Sequence, residues 1–524
     1  MSSEQKQSLE HCKLILNTDA VGAWQCQIYV AQEAAKQEGK ELDAQGAKKV
    51  FEHIMDEYGK ARIDCLTFAV FARFGTHTKD FKTAGLLQYW EPGHDWWKRY
   101  PSFEKFFQAG GDIAQVFLDL CRKKNIAFLA DLRMNDTHLP FSLTSKVYRE
   151  HPEWHLEGVP GAFDYKQKGV RNAMLAFIKE CLDKYDVDGM EFDYLRGGIL
   201  FQSSEAVKNA PLLTNFTRKA RQLLDEAAIK RGRDRLILGV RVPQTIQECD
   251  VLGFDVAAWI QEGFLDYVIP SDFFYPDFNA RTEDFVKLTE GTDCKIYPAV
   301  HPCVAQGDDH QALSAANYRA AAKNFYAYGA EGISAYNYQY AWRAMMLGPG
   351  DIGEVDGWPK ALGYLTQLRE PETIGAADRH YLYHPLWTDP SPTGAVKNDR
   401  IVLDRTNTSP EGTFRFRMAE DLTDSDLSAA LEFKVTGMVE GDELQVSING
   451  QELPAERINR DFVAEGQSAH QGKPLPAFYL YRIELSSPPT CFGDNQLGVQ
   501  LTKSVGHEEL DIQEVEVKVV VKTP

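Results

Sequence analysis

The chain has 524 residues, of which 44% are hydrophobic and 25% are charged, and its formal net charge is −19. This length exceeds what one ordinary hydrophobic core serves, so we expect two or three domains, one of them large. The excess of acidic residues argues against a nucleic-acid partner, because phosphate binding needs a clustered positive surface.

The nine cysteines are scattered from Cys12 to Cys491 and include no CxxC pair. An odd, dispersed set is typical of buried thiols rather than of a disulfide framework or a zinc site. The first residues, MSSEQKQSLEHCKLIL, lack the basic and apolar regions of a signal peptide. No run of about 18 apolar residues occurs, so we expect no membrane contact. We therefore expect a soluble protein, either cytoplasmic or secreted after loss of a leader, and its oligomeric state stays open.

Short apolar segments alternate with amphipathic helical patterns over residues 13–369. The segments are rich in β-branched and aromatic residues and are apolar on both faces, as buried parallel strands are. They span residues 13–18, 63–71, 126–132, 187–194, 236–242, 265–273, 295–301 and 332–338. Eight strand–helix repeats predict an α/β fold, a (β/α)8 barrel, which we assign to residues 1–375. A doubly wound sheet is the alternative, but no strand is followed by GxGxxG or a P-loop.

The pattern changes after about residue 370. Segments such as TFRFR, LEFKV, FYLYRIEL and EVEVKVVV alternate in polarity and are separated by turn-rich pieces. Asn449-Gly450 is a hairpin signal, because a type I′ turn needs positive φ at both central residues. Several such strands without helices predict a C-terminal β-sandwich domain, which we assign to residues 376–524.

Two connections of the predicted barrel are much longer than usual, residues 74–110 after the second strand and 133–167 after the third. Both leave the carboxyl ends of the strands, where barrel enzymes build their sites. Loops in that position commonly carry function, so we expect them to form the walls of a binding site.

The fourth predicted strand carries the most informative segment, VDGMEFDYLR at residues 187–196. Side chains alternate along a strand, so Glu191 and Asp193 project to the same side. Two carboxylates at the end of a buried strand are costly unless they are paired or used. Tyr194 and Arg196 could be their partners. An ion pair that holds the loop to the barrel rim is the alternative to a catalytic pair.

This segment resembles the fourth-strand signature of the family-10-like glycoside hydrolases, DG-x-x-x-DY-x-R. DLRMNDTH at residues 131–138 and WIQEGFLDYVIP at residues 259–270 also resemble segments of that family. The resemblance covers residues 13–369 and implies a barrel glycosidase acting on a carbohydrate. The chain also resembles α-galactosidase-like barrels. In those, the aspartate ending strand four is the nucleophile and one ending strand six is the acid/base.

Glycoside hydrolysis needs a second carboxyl group across the scissile bond and no metal or organic cofactor. Asp272 is our preferred candidate, because strand six faces strand four across the barrel mouth. Glu248, in the loop after Arg241-Val242-Pro243-Gln244, is the other candidate at a strand end, and Asp277 lies further into its loop. Asp131, which ends strand three, could instead hold Arg133 or a sugar hydroxyl. For any lone aspartate, a helix N-cap or a loop hydrogen bond is as good an interpretation.

Arginines follow four successive predicted strands, at Arg73, Arg133, Arg196 and Arg241. One interpretation is that they pair with Glu191, Asp193 and Asp131 and keep those carboxylates ionised. The other is that they grip an anionic glycan, sulfated or uronic, through bidentate contacts.

Other side chains at the predicted mouth could contact the sugar. Flat aromatic rings stack on the apolar faces of pyranoses, although a long loop also needs a small core of its own. The remaining candidate substrate-binding residues are Trp90, Trp96, His138, Tyr194, Gln244, His301, Tyr336 and Asn337. We expect no metal site, because no HxH pair ends strand one.

Two rival hypotheses remain open. One is a metal-dependent barrel hydrolase or lyase, which metal analysis would detect. The other is a non-catalytic glycan-binding barrel, which the absence of a second carboxyl within about 10 Å of Asp193 would favour.

Overall fold

The computed structural model describes residues 9–18, 23–70, 106, 109, 111–135, 146–195, 197–272, 276–301, 303–306, 309–336, 338, 359–360, 362–383, 400–467 and 474–522. None of the helices in this part of the chain combines the length and the apolar character that crossing a bilayer requires.

In the described residues, one sheet of nine parallel strand segments forms the N-terminal part of the fold. The strands are β1 (Leu14–Thr18), β2 (Cys65–Ala69), β3 (Ala127–Arg133), β4 (Gly189–Asp193), β5 (Ile237–Pro243), β6 (Tyr267–Ser271), β7 (Lys295–Ile296), β8 (Ala299–Val300) and β11 (Ile333–Ala335). A separate antiparallel pair, β9 (Cys303–Gln306) and β10 (Asp309–Ala312), lies between β8 and β11 in the chain.

The strand order is β7-β6-β5-β4-β3-β2-β1-β11-β8. It closes into a barrel, because β7 and β8, at the two ends of this order, are consecutive pieces of one chain segment. β7 pairs with β6, and β8 pairs with β11. Pro298 between them has no N–H to donate to a ladder, which accounts for the break. Its carbonyl still accepts the backbone N–H of Ser334 at 3.1 Å. The predicted (β/α)8 barrel is therefore confirmed, with its seventh strand divided into two short pieces.

Helices follow most of the strands and cover the outside of the barrel. They are α1 (Ala23–Gln37), α2 (Ala44–Lys60), α3 (Ile113–Lys124), α4 (Lys146–Glu150), α5 (Lys168–Lys184), α6 (Ala206–Lys230), α7 (Ile246–Val251), α8 (Val256–Gln261), α9 (Thr282–Leu288), α10 (Ala315–Ala327), α11 (Leu362–Thr366) and α12 (Pro371–Gly375). Asp112 begins α3 by accepting the backbone N–H of Gln115, and Phe117 and Cys121 lie on its buried stripe.

Side chains of the barrel strands alternate between two layers. Leu14 and Leu16 pack outward against the helices, whereas Ile15 points into the barrel. The interior apolar cluster consists of Cys12, Ile15, Cys65, Ala127, Leu129, Ile237, Tyr267, Ile269, Tyr297, Ala299 and Tyr336. Toward the carboxyl ends of β1 and β4, polar side chains such as Asn17 and Glu191 occupy inward positions and are buried. Inside the barrel, the carboxyl ends of the strands therefore carry a cluster of buried polar side chains.

The C-terminal part of the chain consists of antiparallel sheets, as predicted. Its strands are β12 (Arg379–Leu382), β13 (Ile401–Leu403), β14 (Glu411–Met418), β15 (Leu427–Thr436), β16 (Glu443–Ile448), β17 (Gln451–Glu452), β18 (Ile458–Val463), β19 (Gly466–Gln467), β20 (Pro474–Leu475), β21 (Phe478–Leu485), β22 (Gly493–Lys503) and β23 (Leu510–Val521). One sheet has the order β12-β23-β15-β21-β18, with β13 also on β23, and the other has the order β14-β22-β16-β17. Asn449 and Gly450 have φ angles of 52° and 78° and join β16 to β17, as the hairpin signal predicted.

The sandwich is held to the barrel through buried polar contacts. The side-chain amide of Asn324, on α10, donates to the carbonyls of Phe278 and Arg417 at 2.8 and 3.0 Å. The guanidinium of Arg417 in turn pairs with Glu283 at 2.6 Å and stacks on the ring of Tyr328. These contacts satisfy polar groups that the interface buries, so the sandwich braces this side of the barrel.

Candidate active site

Asp193 is the last residue of β4 and is completely buried. Its Oδ1 accepts hydrogen bonds from Arg241 Nη1 and from the backbone N–H of Leu195, both at 2.9 Å. Its Oδ2 accepts the hydroxyl of Tyr336 at 3.0 Å. Two neutral donors and one cation therefore surround this carboxylate, an arrangement that stabilises its ionised form.

Arg241, which lies beside Asp193 in the register of β4 and β5, links several elements of the barrel end. Its Nε donates to Ser271 Oγ at 3.1 Å and its Nη2 donates to the carbonyl of Asp272 at 2.8 Å. The guanidinium lies 3.3 Å from the centroid of the Tyr336 ring. A planar fork with these partners has little freedom to move, so Arg241 fixes the position of Asp193.

Glu191 projects to the same side as Asp193, as the strand alternation predicted, and both of its oxygens are engaged. Oε2 accepts the hydroxyl of Tyr267 at 2.6 Å, and Oε1 accepts the amide of Asn17 at 3.2 Å. Burial raises the pKa of Glu191 to about 7, opposed by the Tyr267 hydrogen bond and reinforced by the charge of Asp193. This carboxyl group therefore changes its protonation state near neutral pH.

The ring of Tyr267 reaches Glu191 because the intervening strand carries a glycine. A Cβ atom on Gly239 would lie 1.9 Å from Cζ of Tyr267. Gly239 is paired with both Glu191 and Tyr267 in the register of the sheet. The missing side chain leaves the space through which the tyrosine ring crosses the barrel interior.

Asp131 lies on β3 directly beside Glu191 in register, and it is buried. Its Oδ2 is 3.5 Å from the Asn17 amide, whose nitrogen also donates to Thr67 Oγ1 at 2.9 Å. Its Oδ1 has no hydrogen-bond partner among the described residues. Burial raises the pKa of Asp131 well above its ordinary value, and the charges of Asp193 and Glu191 add to this effect, while Arg133 opposes it.

Other predicted site residues lie around this cluster. Arg133 is buried at the end of β3, opposite Asp193 in register. His301 follows β8, and its Nε2 is 3.2 Å from Ser271 Oγ. Gln244 and Asp272 both line a small pocket at the ends of β5 and β6. The main-chain carbonyl of Asp272 accepts a hydrogen bond from Arg241 Nη2.

Tyr194 is not brought into the cluster. Its ring packs against Phe254 and Trp259 in the outer layer, with centroids 4.9 and 5.6 Å apart. The reason is the strand alternation itself, since the residue after an inward Asp193 points outward. The tyrosine partners of the two carboxylates are therefore Tyr336 and Tyr267 rather than Tyr194.

Six predicted residues lie outside the described part of the chain, namely Arg73, Trp90, Trp96, His138, Arg196 and Asn337. Conversely, Asn17, Tyr267 and Ser271 contact the cluster although the sequence did not single them out. Asn17 carries a weak signal, because it is an amide residue near the end of a mainly apolar strand, LILNT. In the described residues, no group of three or more His, Cys, Asp or Glu side chains has the arrangement of a metal site.

Comparison with known proteins gives remote similarities of structure. No family model matches the sequence, and no curated protein matches it. The chain is similar to a GH138 enzyme targeting pectin rhamnogalacturonan II, at 12% identity and a TM-score of 0.41, over 69% of this chain and 39% of that one. It is also similar to the PgaB glycoside hydrolase domain from Bordetella bronchiseptica, at 11% identity and a TM-score of 0.41, over 68% and 99% of the two chains. A third is the endo-beta-1,4-mannanase from Thermotoga petrophila, at 9% identity and a TM-score of 0.37, over 89% and 93%.

The chain thus spans only about two fifths of the length of the GH138 structure.

Proposed function

We propose that this protein is a glycoside hydrolase in which Asp193 is the ionised carboxylate of a two-carboxyl mechanism. The observation that carries the proposal is the set of three hydrogen bonds to Asp193 from Arg241, Leu195 and Tyr336 at the carboxyl end of β4. Catalytic residues of barrel enzymes lie at this end of the strands.

The protonation states of the cluster fit this chemistry. Glycosidic cleavage needs one carboxyl group that is protonated and one that is ionised. Arg241 stabilises the charge of Asp193, whereas burial raises the pKa values of Asp131 and Glu191. Carboxyl groups whose environments favour opposite protonation states are the usual source of an acid and a base in one site.

The proposed reaction transfers a proton to the glycosidic oxygen while its bond to the anomeric carbon breaks. Asp193 either attacks that carbon directly or removes a proton from the attacking water. Arg241 and Tyr336 hold the carboxylate in place and require no movement during the step. The family resemblance implies Asp272 as the acid, and Glu191 is the further carboxyl group that the strand pattern predicts.

We also propose an anionic group on the substrate, sulfate or carboxylate. Burial raises the pKa values of Asp131 and Glu191, which favours their neutral forms, and Arg241 pairs with Asp193. Arg133, buried at the end of β3, places a second guanidinium at this end of the barrel. Guanidinium groups bind carboxylate and sulfate through charge-assisted, often bidentate hydrogen bonds, so this end of the barrel suits an anionic group of the substrate.

The direct test is hydrolysis of a panel of neutral, sulfated and uronic oligosaccharides by the wild-type protein and by Asp193→Asn. We expect release of shorter sugars by the wild type and a loss of more than about a thousandfold in the variant, the scale of losing a central catalytic group. Asp186→Asn is the matched control, since that carboxylate is half exposed and pairs with Arg122 at the opposite end of the strand. Equal cleavage of charged oligosaccharides and their desulfated or reduced forms would contradict the proposal of an anionic substrate, but not the proposed glycosidase function.

A non-catalytic glycan-binding barrel is the second candidate. It is favoured by the complete engagement of Glu191 and Asp193, whose four oxygens all accept hydrogen bonds from the protein. A protein of this kind would bind oligosaccharides in calorimetry and release no product detectable by mass spectrometry. Product release that depends on Asp193 would exclude it.

A further inference from the structure

The three buried carboxyl groups of the site differ in how completely the protein satisfies them. Asp193 accepts three hydrogen bonds, and each oxygen of Glu191 accepts one. Asp131 differs, because its Oδ1 has no partner within the described residues. Buried polar atoms in folded proteins are nearly always paired, so an exception calls for a ligand or a function.

The position of the Asn17 amide determines which oxygen of Asp131 lacks a hydrogen-bond donor. Its nitrogen lies 2.9 Å from Thr67 Oγ1, 3.2 Å from Glu191 Oε1 and 3.5 Å from Asp131 Oδ2. Oδ2 therefore faces a donor, which leaves Oδ1 as the oxygen that carries the proton when the group is neutral. A buried O–H without an acceptor costs free energy, which an oxygen of a bound substrate would recover.

The charges around Asp131 favour that neutral form. Burial raises its pKa, Asp193 and Glu191 raise it further, and Arg133 opposes them. The same arrangement of charges also allows Asp131 to accept a proton after it has donated one. When Asp193 loses its charge by bonding to the sugar or by taking a proton from water, one cause of the raised pKa disappears. The pKa of Asp131 then falls, so its carboxylate stays ionised and available to accept a proton from water.

We propose that Asp131 is the proton donor of the reaction, in place of Asp272, an inference that rests on the proposed glycosidase function. In the step, the O–H bond at Asp131 Oδ1 breaks and the proton passes to the glycosidic oxygen. The bond from that oxygen to the anomeric carbon breaks, and its electron pair stays with the departing oxygen. The anomeric carbon receives an electron pair from Asp193 or from a water molecule whose proton Asp193 accepts.

Leaving-group dependence tests this assignment. Phenyl glycosides need protonation of the departing oxygen, whereas dinitrophenyl glycosides of the same sugar do not. We expect Asp131→Asn to lower kcat/KM on the phenyl glycoside by about a hundredfold to ten-thousandfold, the usual contribution of a general acid. Its loss on the dinitrophenyl glycoside should be below about tenfold, whereas Asp193→Asn should lose activity on both.

Asp272→Asn is the matched comparison, because both variants convert one carboxyl group of the barrel end to an amide. A leaving-group-dependent loss in Asp272→Asn, or equal losses on both substrates in Asp131→Asn, would overturn the assignment to Asp131. Failure of the proposed function gives a different result, since the wild-type protein would then cleave neither glycoside.

Infrared spectroscopy tests the proton itself without requiring turnover. The difference spectrum between wild type and Asp131→Asn near neutral pH should contain the C=O band of a protonated carboxyl group. Circular dichroism verifies that the variant is folded. A difference spectrum with only carboxylate bands would overturn the proposal even if the protein proved to be a glycosidase.

Discussion

The guanidinium of Arg241 donates a hydrogen bond to Asp193 at 2.9 Å, and neither side chain is exposed to solvent. The pair joins β4 to β5, and Ser271 and the carbonyl of Asp272 extend it to β6. Removal of one member of such a pair leaves an uncompensated buried charge.

Arg241→Met should therefore destabilise the protein by about 3–5 kcal/mol, the usual cost of breaking a buried ion pair on one side. The measurement is the free energy of unfolding by denaturant. Arg218→Met serves as the control, because the Arg218–Glu262 pair is about 40% exposed on both sides and should contribute about 0–1 kcal/mol. Equal stability of Arg241→Met and the wild type would show that the charge of Asp193 does not depend on Arg241.

Gly239→Ala should displace the ring of Tyr267 from Glu191. The added Cβ would lie 1.9 Å from Cζ of that ring, and overpacking of this kind costs about 1–3 kcal/mol. We expect a lower unfolding free energy together with a higher pKa of Glu191, because the Tyr267 hydrogen bond lowers that pKa.

The control for this substitution is Gly363→Ala, since a Cβ there meets no atom within 4 Å and the residue lies in α11. It should be neutral or slightly stabilising. A crystal structure of Gly239→Ala with Tyr267 still 2.6 Å from Glu191 would refute the role of the glycine.

The raised pKa of Glu191 predicts a direction for the pH dependence of stability. The folded protein holds a proton on Glu191 up to about pH 7, whereas the unfolded chain releases it at the ordinary glutamate value of 4.5. Stability from this group is therefore present at low pH and is lost as pH rises from about 4.5 through about 7.

Glu191→Gln should remove that contribution, so the variant should lose less stability than the wild type between about pH 5 and about pH 8. Denaturant unfolding at several pH values measures the difference. Glu33→Gln, at an exposed carboxylate, should follow the wild type. Parallel curves for wild type and Glu191→Gln would mean that Glu191 keeps its charge throughout the range.

The sequence allowed the barrel, the sandwich and the shared side of Glu191 and Asp193 to be predicted, because these depend on local periodicity. It did not reveal Asn17 or Tyr267, because these residues are 174 and 76 positions away from Glu191 in the chain and meet it only in the folded barrel. The effect of Pro298 could not be predicted for the same reason. It divides the seventh strand into two pieces, and this becomes visible only when the pairing partner of each piece is known. Tyr194 is a different case, because the alternation that grouped the carboxylates also directs this ring outward.

The turnover of Asp193→Asn with its substrate affinity measured in the same preparation tests the central claim most directly. An amide at this position keeps the shape of the side chain but loses the negative charge that the mechanism requires. We predict that the folded variant binds the oligosaccharide that the wild type cleaves, while kcat falls by more than about a thousandfold. A folded Asp193→Asn protein with near-native kcat would contradict the account.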